Sequence, residues 1–532
     1  MLKNKVINMS EKKVIVIGID AAFWDAILPR ISRLPTFKMF IEKGCWGYLE
    51  SCMPPLTCPA WKCYSTGKNP GKLGVYWWVD VDWSNQRFIF HNSNSFHDIE
   101  IWDYLSMYGY RTGIINMPMT YPPKKVNGFC IAGMPAEDGA EYTFPKALKK
   151  ELIERFDYRI HPKNIVYVDV YGKSEKDKTL DEIFKLIETR FKIAEYYMDD
   201  VDFLHITIFY SDFIHHYFSD DEEVIHRLYK KIDEELGKFI NKLNLENTYI
   251  FLMSDHGQSV FDYIFRINDL LYNKQYLFKK KHKSMLFGEL INIEAIARYL
   301  RILNLDFILK YMPSNIKKLL KSIIPRKSGF EFFDIVNIID FRNTIILGLD
   351  YVMYINRELF ENKEKYLRFR DKLISELKVL RNPFNGEPVF EKILPKESVY
   401  SITKGNSPDI FFIPNPKINV YCGVSSNLKK NCIWVKSHEF SRWVSTHTLY
   451  GIFGVIGSDI KERYNINPKI YDLAPTILYM FDLPVPNDMD GRILKKIFVE
   501  KSLFARKDVK YEDPLKIRIK ETVNKLKLGR KF

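Results

Sequence analysis

The sequence has few cysteines, and their arrangement excludes a disulfide-built domain. Its seven cysteines are an odd number and form no C-x-x-C pair. Four of them lie close together in the chain, at Cys45, Cys52, Cys58 and Cys63. Their spacing matches no established zinc motif. We therefore expect buried free thiols in a reducing compartment.

Long apolar segments are also missing. No run approaches the roughly 18 consecutive apolar residues that a transmembrane helix needs. Residues 1–13 are polar and lack the apolar stretch of a secretory signal. These absences predict a cytoplasmic protein with no signal peptide and no membrane span. The sequence contains no specific nucleic-acid-binding motif and no internal repeat, and it predicts no particular oligomeric state.

Positive charge is concentrated in two segments of a chain whose net charge is +14. Residues 279–327 contain twelve Lys and Arg against three Asp and Glu, and residues 501–532 contain eleven against four. The rest of the protein is therefore close to neutral. Basic segments of this kind attract anionic lipid, polyanions or anionic substrates, or they form solvated helix faces. Peripheral contact with an anionic membrane is one interpretation of these segments.

Short β-branched segments alternate with helical segments along most of the 532 residues. The predicted strands include 14–19, 112–116, 203–209, 248–253, 344–347 and 352–355, and the predicted helices include 30–44, 183–198, 221–243 and 363–380. Strands that alternate with helices of this length form largely parallel sheets with helices on both faces. The sequence therefore predicts an α/β protein built as a three-layer α/β/α sandwich.

Changes in composition divide the chain into four predicted parts. Residues 12–265 and 336–500 form the two parts of a catalytic α/β core, the second with a small α+β portion. Between them, residues 266–335 are predicted to form an inserted basic helical cap or lid, because residues 279–327 lack strand patterns. Within it, residues 316–324 repeat aliphatic side chains at helical spacing. Residues 501–532 predict a basic C-terminal tail.

One hydroxyl, that of Thr57, is framed by prolines at positions 54, 55 and 59. Proline suits the first turn of a helix, so the stretch predicts a loop, then Thr57, then a helix over about residues 60–66. The free N–H groups at a helix N-terminus favour anions. On this stretch alone, the ordinary role of an N-cap is the favoured interpretation of Thr57.

Carboxylates and imidazoles follow several of the predicted strands. The candidates are Asp20, Asp212, His216, Asp255, His256 and His447. Ligands of open α/β sheets bind beyond the carboxyl ends of the strands, so the first five share one edge. Asp212 and His216 are four residues apart and share one face of a helical turn, whereas His215 lacks that spacing. Mixed carboxylate and imidazole ligation suits zinc, with manganese as the alternative.

In order and content, these pieces resemble the type I phosphodiesterase/nucleotide pyrophosphatase family of the alkaline phosphatase superfamily. The matching pieces are Ile17–Asp20, Pro54–Trp61, Asp212–His216, Met253–Gly257, Thr446–Ile452, Asp472–Leu478 and Leu483–Gly491. The similarity spans about residues 12–265 and 336–495. It implies an alkaline-phosphatase-like fold and a metal-dependent hydrolase that acts on phosphoric ester bonds, most simply a phosphodiesterase or nucleotide pyrophosphatase.

The resemblance also implies a site. One metal ion would be held by Asp20, Thr57, Asp255 and His256, and a second by Asp212, His216 and His447. Thr57 would attack phosphorus and form a covalent phospho-threonine-type intermediate, which water on the second ion would hydrolyse. The expected cofactors are two divalent ions, Zn²⁺ or Mn²⁺. The expected substrate is a small phosphate ester or a nucleotide-like molecule.

The sequence departs from many nucleotide pyrophosphatases shortly after the predicted nucleophile helix. Where those proteins place an asparagine near the phosphate, this chain has Gly74–Trp78, without an amide side chain. Lys62 and the backbone N–H of Cys58 are the candidate substrate contacts instead. Two alternatives stay open. One is a phosphomutase, phosphomonoesterase or sulfatase on the same metal core, and the other is a non-catalytic protein that binds anionic lipid or polyanion.

Overall fold

The computed structural model describes residues 12–163, 173–280, 338–424, 433–437 and 443–529. Its strands are β1 (Lys13–Ile19), β2 (Cys45–Glu50), β3 (Val79–Asp82), β4 (Arg87–Phe90), β5 (Thr112–Ile115), β6 (Gly128–Ile131), β7 (Thr143–Phe144), β8 (Phe203–Ile208), β9 (Thr248–Met253), β10 (Gly257–Val260), β11 (Tyr263–Arg266), β12 (Ile346–Leu349), β13 (Val352–Ile355), β14 (Phe390–Pro395), β15 (Ile410–Pro414), β16 (Ile418–Tyr421), β17 (Trp434–Lys436), β18 (Ser445–Thr448), β19 (Tyr450–Ile456), β20 (Tyr464–Asn465), β21 (Val485–Pro486) and β22 (Tyr511–Glu512). Its α-helices are α1 (Trp24–Ile27), α2 (Pro35–Lys43), α3 (Thr57–Thr66), α4 (Pro70–Leu73), α5 (Ile101–Met107), α6 (Leu148–Phe156), α7 (Lys173–Tyr197), α8 (Tyr210–Phe218), α9 (Glu222–Ile240), α10 (Ile267–Asn273), α11 (Lys363–Lys378), α12 (Lys396–Val399), α13 (Leu473–Met480), α14 (Leu503–Arg506) and α15 (Pro514–Gly529).

Nine strands form the central sheet, in the order β20-β2-β19-β9-β1-β8-β5-β6-β7. The central strand, β1, pairs in parallel with β8 and β9, and β8 continues in parallel to β5 and β6. Six of the seven residues of β1 are buried, as expected for a β-branched strand that is covered on both faces. β19 runs antiparallel to both of its neighbours, β9 and β2. The prediction of a largely parallel sheet is therefore confirmed.

Helices cover both faces of this sheet. On one face, helices α2, α7 and α9 enclose a core that contains Ile17 and Leu204. On the other face, α3, α5 and α13 enclose a second core that contains Val16, Trp61 and Phe251. Successive residues of a strand point to opposite faces, so Val16 and Ile17 belong to different cores. The arrangement confirms the predicted three-layer α/β/α sandwich.

Gly18 allows helix α3 to approach the central sheet closely. A Cβ atom at this position would lie only 2.3 Å from Cη2 of Trp61. Any larger residue in the middle of β1 would therefore push α3 outward. Because Thr57 is the first residue of α3, this contact helps to set the position of Thr57 relative to the end of β1.

A second, antiparallel sheet lies in the later part of the chain. Its four strands have the order β12-β13-β15-β14. Together with helices α10 and α11, they enclose a third apolar core that contains Leu347, Met353 and Leu373. The strands predicted at 344–347 and 352–355 correspond to β12 and β13. This sheet lies within the segment predicted as the second part of the core, and the division into four parts stays a prediction.

The structure corrects the predicted helix over 30–44. A 3-10 helix over Leu28–Arg33 comes first, and α2 then begins at Pro35. Proline has no N–H group and cannot continue a helix from the preceding turn, so two short elements replace one long helix.

Most of the predicted lid, residues 266–335, lies outside the described residues, which resume at 338. The lid therefore stays a prediction. Six cysteines within the described ranges are buried free thiols, as expected. In the same ranges, no helix has the length and apolar composition needed to cross a bilayer.

Candidate active site

Two neighbouring strands, β1 and β9, bring acidic residues to one edge of the central sheet. β1 ends with Ile19 paired to Ile208 of β8, and Gly18 pairs with Met253 of β9. Asp20 follows β1 directly, and Asp255 follows β9 after a single residue. Both carboxylates are completely buried. The parallel register therefore places two residues that are remote in sequence side by side.

Thr57 is the first residue of α3, and Leu56 occupies the N-cap position without a side-chain cap. The N-cap interpretation of Thr57 is therefore wrong. Its hydroxyl oxygen lies 3.3 Å from Nε2 of His256. The N–H groups of a first helical turn have no acceptor within the helix. The hydroxyl thus lies between an imidazole and a helix end that favours anions.

Helix α8 places Asp212 and His216 on one face, as their spacing predicts. Nε2 of His216 lies 3.3 Å from Oδ1 of Asp212. The neighbouring His215 has other partners, because its Nε2 lies 2.9 Å from the hydroxyl of Tyr229 and its Nδ1 lies 3.1 Å from Oγ of Ser219. Of these adjacent histidines, only His216 contacts the acidic cluster.

The short strand β18 brings His447 to the same place. The imidazole ring of His447 stacks on that of His256, with ring centroids 3.7 Å apart. Nε2 of His447 lies 3.0 Å from Nε2 of His216. The seven predicted metal ligands thus form one connected cluster. Their role as ligands stays a prediction.

Backbone carbonyls orient the three imidazole rings of the cluster. Nδ1 of His216, His256 and His447 lies 3.0, 3.2 and 3.1 Å from the carbonyl oxygens of Ser445, Gly257 and Pro55, respectively. A carbonyl oxygen can only accept, so Nδ1 carries the ring proton in each case. In the neutral rings, Nε2 is left with a lone pair, which is the form of histidine that binds metal ions.

Three atoms with lone pairs lie close together: Oδ1 of Asp212, Nε2 of His216 and Nε2 of His447. Oδ1 of Asp212 lies 3.3 Å from Nε2 of His216 and 3.4 Å from Nε2 of His447. The two nitrogens themselves are only 3.0 Å apart. Lone pairs at such distances repel one another unless a proton or a cation lies among them. The geometry therefore fits a cation bound by one carboxylate and two imidazoles.

A second convergence involves Asp20, Asp255 and His256. Oδ1 of Asp20 and Oδ2 of Asp255 lie 3.7 and 3.2 Å from Nε2 of His256. Within the described part of the chain, neither oxygen has a hydrogen-bond partner, although both are buried. Buried carboxylate oxygens without a partner are costly, and a bound cation would satisfy both. His256 also lies within ligand distance of Asp212 and His447, so it borders both groups of donors.

Burial shifts the pKa values of four residues of the cluster in a direction that a bound cation would relieve. Burial, together with the negative charges of Asp255 and Asp212, raises the pKa of Asp20. Burial likewise raises the pKa of Asp255 and lowers the pKa of His256 and His216. These shifts disfavour free carboxylates at Asp20 and Asp255 and protonated imidazoles at His216 and His256. Burial opposes the shifts of the other two groups, because the imidazoles of His216 and His447 lower the pKa of Asp212 and the carboxylate of Asp212 raises the pKa of His447. A divalent ion stabilises the carboxylates and binds neutral imidazole, which fits this set of groups.

Two supporting side chains were not identified from the sequence. The indole N–H of Trp61 donates to Oδ2 of Asp20 at 3.1 Å. The amide of Gln258 donates to Oδ1 of Asp212 at 2.8 Å and accepts from Oγ of Ser445 at 3.1 Å. These bonds fix the two carboxylates. The sequence could have predicted the place of Gln258, because it lies two residues after His256 and alternate residues of an extended segment share a face.

Aromatic side chains border the histidines. Trp443 stacks on His216 with ring centroids 4.4 Å apart, and it remains 43% exposed. The hydroxyl of Tyr351 donates to the backbone carbonyl of His447 at 2.8 Å. These contacts restrict the rotation of His216 and fix the backbone of His447, which keeps the two Nε2 atoms pointing into the cluster.

The structure corrects the prediction that Lys62 contacts substrate. Lys62 is completely buried, and its ammonium group donates to Oε1 of Glu100 at 2.7 Å. Glu100 also accepts from Lys124 at 3.0 Å and from Ser65 at 2.8 Å. A buried ammonium group needs a carboxylate partner, and Glu100 is that partner for Lys62 inside the core. The ammonium group of Lys62 therefore does not face the substrate. Cys58 keeps its place in the first turn of α3, next to Thr57.

We expect Glu100→Gln to lower the free energy of unfolding by about 3–5 kcal/mol, because it leaves the buried ammonium group of Lys62 unpaired. Urea denaturation measures this loss. Glu50→Gln is the matched control, because Glu50 pairs with Lys469 at 3.1 Å with both side chains at least one-third exposed. The control should lose less than about 1 kcal/mol. Equal losses in the two variants would contradict the structural role of the buried pair.

The buried pair also predicts a loss of stability in acid. Burial alone would raise the pKa of Glu100, but the ammonium groups of Lys124 and Lys62 lower it below its ordinary value. A carboxylate with a depressed folded-state pKa stabilises the fold above its unfolded pKa of about 4.3 and loses that contribution as the pH falls further. The stability difference between the wild type and Glu100→Gln should therefore shrink below that pH in urea titrations. A constant difference would contradict the assignment.

Comparison with known proteins supports these observations. A family model described as type I phosphodiesterase/nucleotide pyrophosphatase matches residues 14–440. No curated protein sequence matches the chain closely enough to assign a relative. The structure resembles human ectonucleotide pyrophosphatase/phosphodiesterase 5 with 11% identity and a TM-score of 0.51, over 91% of this chain and 98% of that chain.

Two further solved structures give similar matches. Wild-type alkaline phosphatase PafA is 14% identical, with a TM-score of 0.56 over 92% of this chain and 99% of that chain. Phosphonoacetate hydrolase from Sinorhizobium meliloti 1021, solved with phosphonoformate, is 13% identical, with a TM-score of 0.54 over 89% and 95% of the two chains. Similarity at these identities establishes the fold, which is alkaline-phosphatase-like.

The family model over residues 14–440, together with the carboxylates and imidazoles clustered at the carboxyl edge of the sheet, defines the protein as a phosphoester hydrolase. The chain belongs to the type I phosphodiesterase/nucleotide pyrophosphatase family, whose model covers most of its length. The family, the fold class and the enzyme class expected from the sequence are therefore confirmed.

Proposed function

We propose that this enzyme is a phosphodiesterase or nucleotide pyrophosphatase that uses two divalent metal ions, Zn²⁺ or Mn²⁺, and Thr57 as its nucleophile. The observation that carries the proposal is the convergence of three Nε2 lone pairs and three carboxylates beside the Thr57 hydroxyl. The substrate would be a small phosphate ester or a nucleotide-like molecule.

Two groups of residues would hold the ions. Asp20, Thr57, Asp255 and His256 would hold one, and Asp212, His216 and His447 would hold the other. The buried, unpartnered oxygens of Asp20 and Asp255 support the first group. The facing Nε2 atoms of His216 and His447 support the second. Bound ions would supply positive charge that lowers the pKa of a coordinated hydroxyl and stabilises a phosphoryl group.

Thr57 performs the first chemical step. Its Oγ forms a bond to phosphorus while the bond from phosphorus to the leaving oxygen breaks, and the hydroxyl proton passes through solvent to the leaving oxygen. A water molecule then attacks the phosphothreonine, its oxygen bonds to phosphorus, and Oγ departs and takes up a proton released by that water. Nε2 of His256 lies 3.3 Å from Oγ, so the two atoms are close enough together to share the first ion.

The first turn of α3 favours the phosphoryl oxygens of the substrate. The backbone N–H of Cys58 follows Thr57 directly in the helix. It has no acceptor within the helix, and the positive end of the helix dipole lies at the same place. The sequence offered two candidate phosphate contacts, Lys62 and this N–H group. Because Lys62 pairs with Glu100, the N–H group of Cys58 is the one that we assign to the phosphate.

A substrate screen tests the proposal. The probes are a nitrophenyl phosphodiester, nitrophenyl phosphate and nitrophenyl sulfate, offered to zinc-loaded and manganese-loaded protein. We expect kcat/KM for the diester to exceed the other values by about tenfold or more, since discrimination among substrates is a ratio of kcat/KM values. Faster turnover of the monoester or the sulfate would replace the proposal by a phosphomonoesterase or sulfatase. Transfer of phosphate between two hydroxyls of a substrate, without net hydrolysis, would identify a phosphomutase.

A further inference from the structure

The C-terminal helix α15 is fixed to the protein along one side. Ile517, in its first turn, is 2% exposed and belongs to the core that also contains Trp61. Just before the helix, β22 pairs with β21, and Lys520 forms an ion pair with Glu512 of β22. The start of α15 is therefore anchored, and the orientation of its faces is determined.

The face opposite Ile517 is apolar and exposed. Leu515, Ile519 and Val523 are 66%, 55% and 40% exposed. Residues four apart share a helix face, and Ile517 lies about 200° around the axis from Leu515. Tyr511, which is 65% exposed, lies just before the helix. A solvent-facing helix side is normally polar, so an aliphatic stripe that avoids the core requires another partner.

The segment that carries this stripe is rich in positive charge. Residues 514–532 contain seven Lys and Arg against a single Glu. Lys516 and Lys520 are exposed, and helical spacing places both along one border of the stripe, where Lys520 also pairs with Glu512. An aliphatic face flanked by lysines is typical of helices that lie in a membrane interface, where lysines meet lipid phosphates and aliphatic side chains enter the acyl boundary.

We propose that the exposed face of α15 docks on an anionic phospholipid surface. With sixteen residues, the helix is about 24 Å long and carries too much charge to span a bilayer, so it lies on the membrane. A second copy of the chain is a poorer occupant. Three aliphatic side chains offer much less than the roughly 800 Å² per partner of a stable dimer. Two basic faces would also repel each other, whereas anionic lipid complements them.

Sedimentation with sucrose-loaded vesicles tests the proposal on the full chain. The probes are vesicles of phosphatidylcholine alone and vesicles with about 30% phosphatidylserine. We expect binding to the anionic vesicles to be about tenfold tighter and to weaken as NaCl is raised from about 0.05 to 0.5 M, because juxtamembrane lysines interact with anionic lipid electrostatically. Equal binding to both vesicle types, or no binding to either, would overturn the proposal.

A pair of matched double variants tests the stripe itself. Leu515→Gln with Ile519→Gln removes two exposed aliphatic side chains without changing charge, and it should weaken vesicle binding about tenfold. Leu359→Gln with Val379→Gln alters side chains that are 46% and 71% exposed elsewhere on the protein, and it should bind like the wild type. Equal binding by both variants would overturn the proposal. So would a wild-type dimer in light scattering that the first variant converts to monomer. The assay measures no turnover, so it is independent of the proposed function.

Discussion

Replacement of Thr57 by alanine should lower kcat/KM for a nitrophenyl phosphodiester by about three orders of magnitude or more, because the variant has no atom that can bond to phosphorus. The fold should persist. The N-cap position of α3 belongs to Leu56, and no side-chain cap is lost. We therefore expect the free energy of unfolding to change by no more than about 1 kcal/mol. Steady-state kinetics and urea denaturation measure the two quantities.

Thr66→Ala provides the matched control for this prediction. Thr66 lies at the other end of the same helix, is completely buried, and donates its hydroxyl to the carbonyl of Lys62 at 2.6 Å. The control removes the same atoms without touching the cluster, so its kcat/KM should stay within about threefold of the wild type. If Thr57→Ala retained a comparable rate, Thr57 would not be the nucleophile.

Adjacent histidines should respond in opposite ways to substitution. His216→Ala should lose one bound metal ion and at least about 100-fold in kcat/KM, because it removes an imidazole whose Nε2 faces His447 and Asp212. The metal loss can be measured by inductively coupled plasma mass spectrometry on the dialysed variant. Denaturation should show a folded protein, since His216 lies at the edge of the sheet rather than inside an apolar core.

His215→Ala is the natural counterpart. His215 is fully buried, and its Nε2 lies 2.9 Å from the hydroxyl of Tyr229. Its removal leaves a cavity and takes one hydrogen-bond partner from the buried hydroxyl of Tyr229, so the free energy of unfolding should fall by about 2–4 kcal/mol. Metal content and kcat/KM should remain near those of the wild type. The reverse pattern, with His215→Ala losing metal and His216→Ala keeping it, would contradict the assigned ligand.

The sequence predicted the edge of the sheet well because the relevant signals are local. A β-branched run that ends in Asp20 or Asp255 predicts a strand and its end, and parallel strands share that edge. The spacing of Asp212 and His216 predicted their common face and excluded His215, because one helical turn is a local geometry. The choice between N-cap and first helical residue for Thr57 differs by one position, and the helix boundary decides it, because Leu56 occupies the N-cap position.

Contacts between residues that are far apart in the sequence could not be predicted from local patterns. Lys62 lies shortly after Thr57, and nothing nearby shows that its partner is Glu100, at the start of another helix. The support of Asp20 by Trp61 likewise depends on how closely α3 approaches β1 at Gly18. The aliphatic spacing of α15 fits a buried face and an exposed face equally well. Only the anchoring of Ile517 in the core shows that Leu515 and Ile519 face outward.

Metal stoichiometry tests the proposed centre most directly. Purified and dialysed wild-type protein should contain about two zinc or manganese ions per chain. A chelator should remove these ions together with phosphodiesterase activity, and either metal should restore the activity. His216→Ala should contain about one ion per chain. A folded, fully active protein without bound metal would contradict the assignment of the cluster.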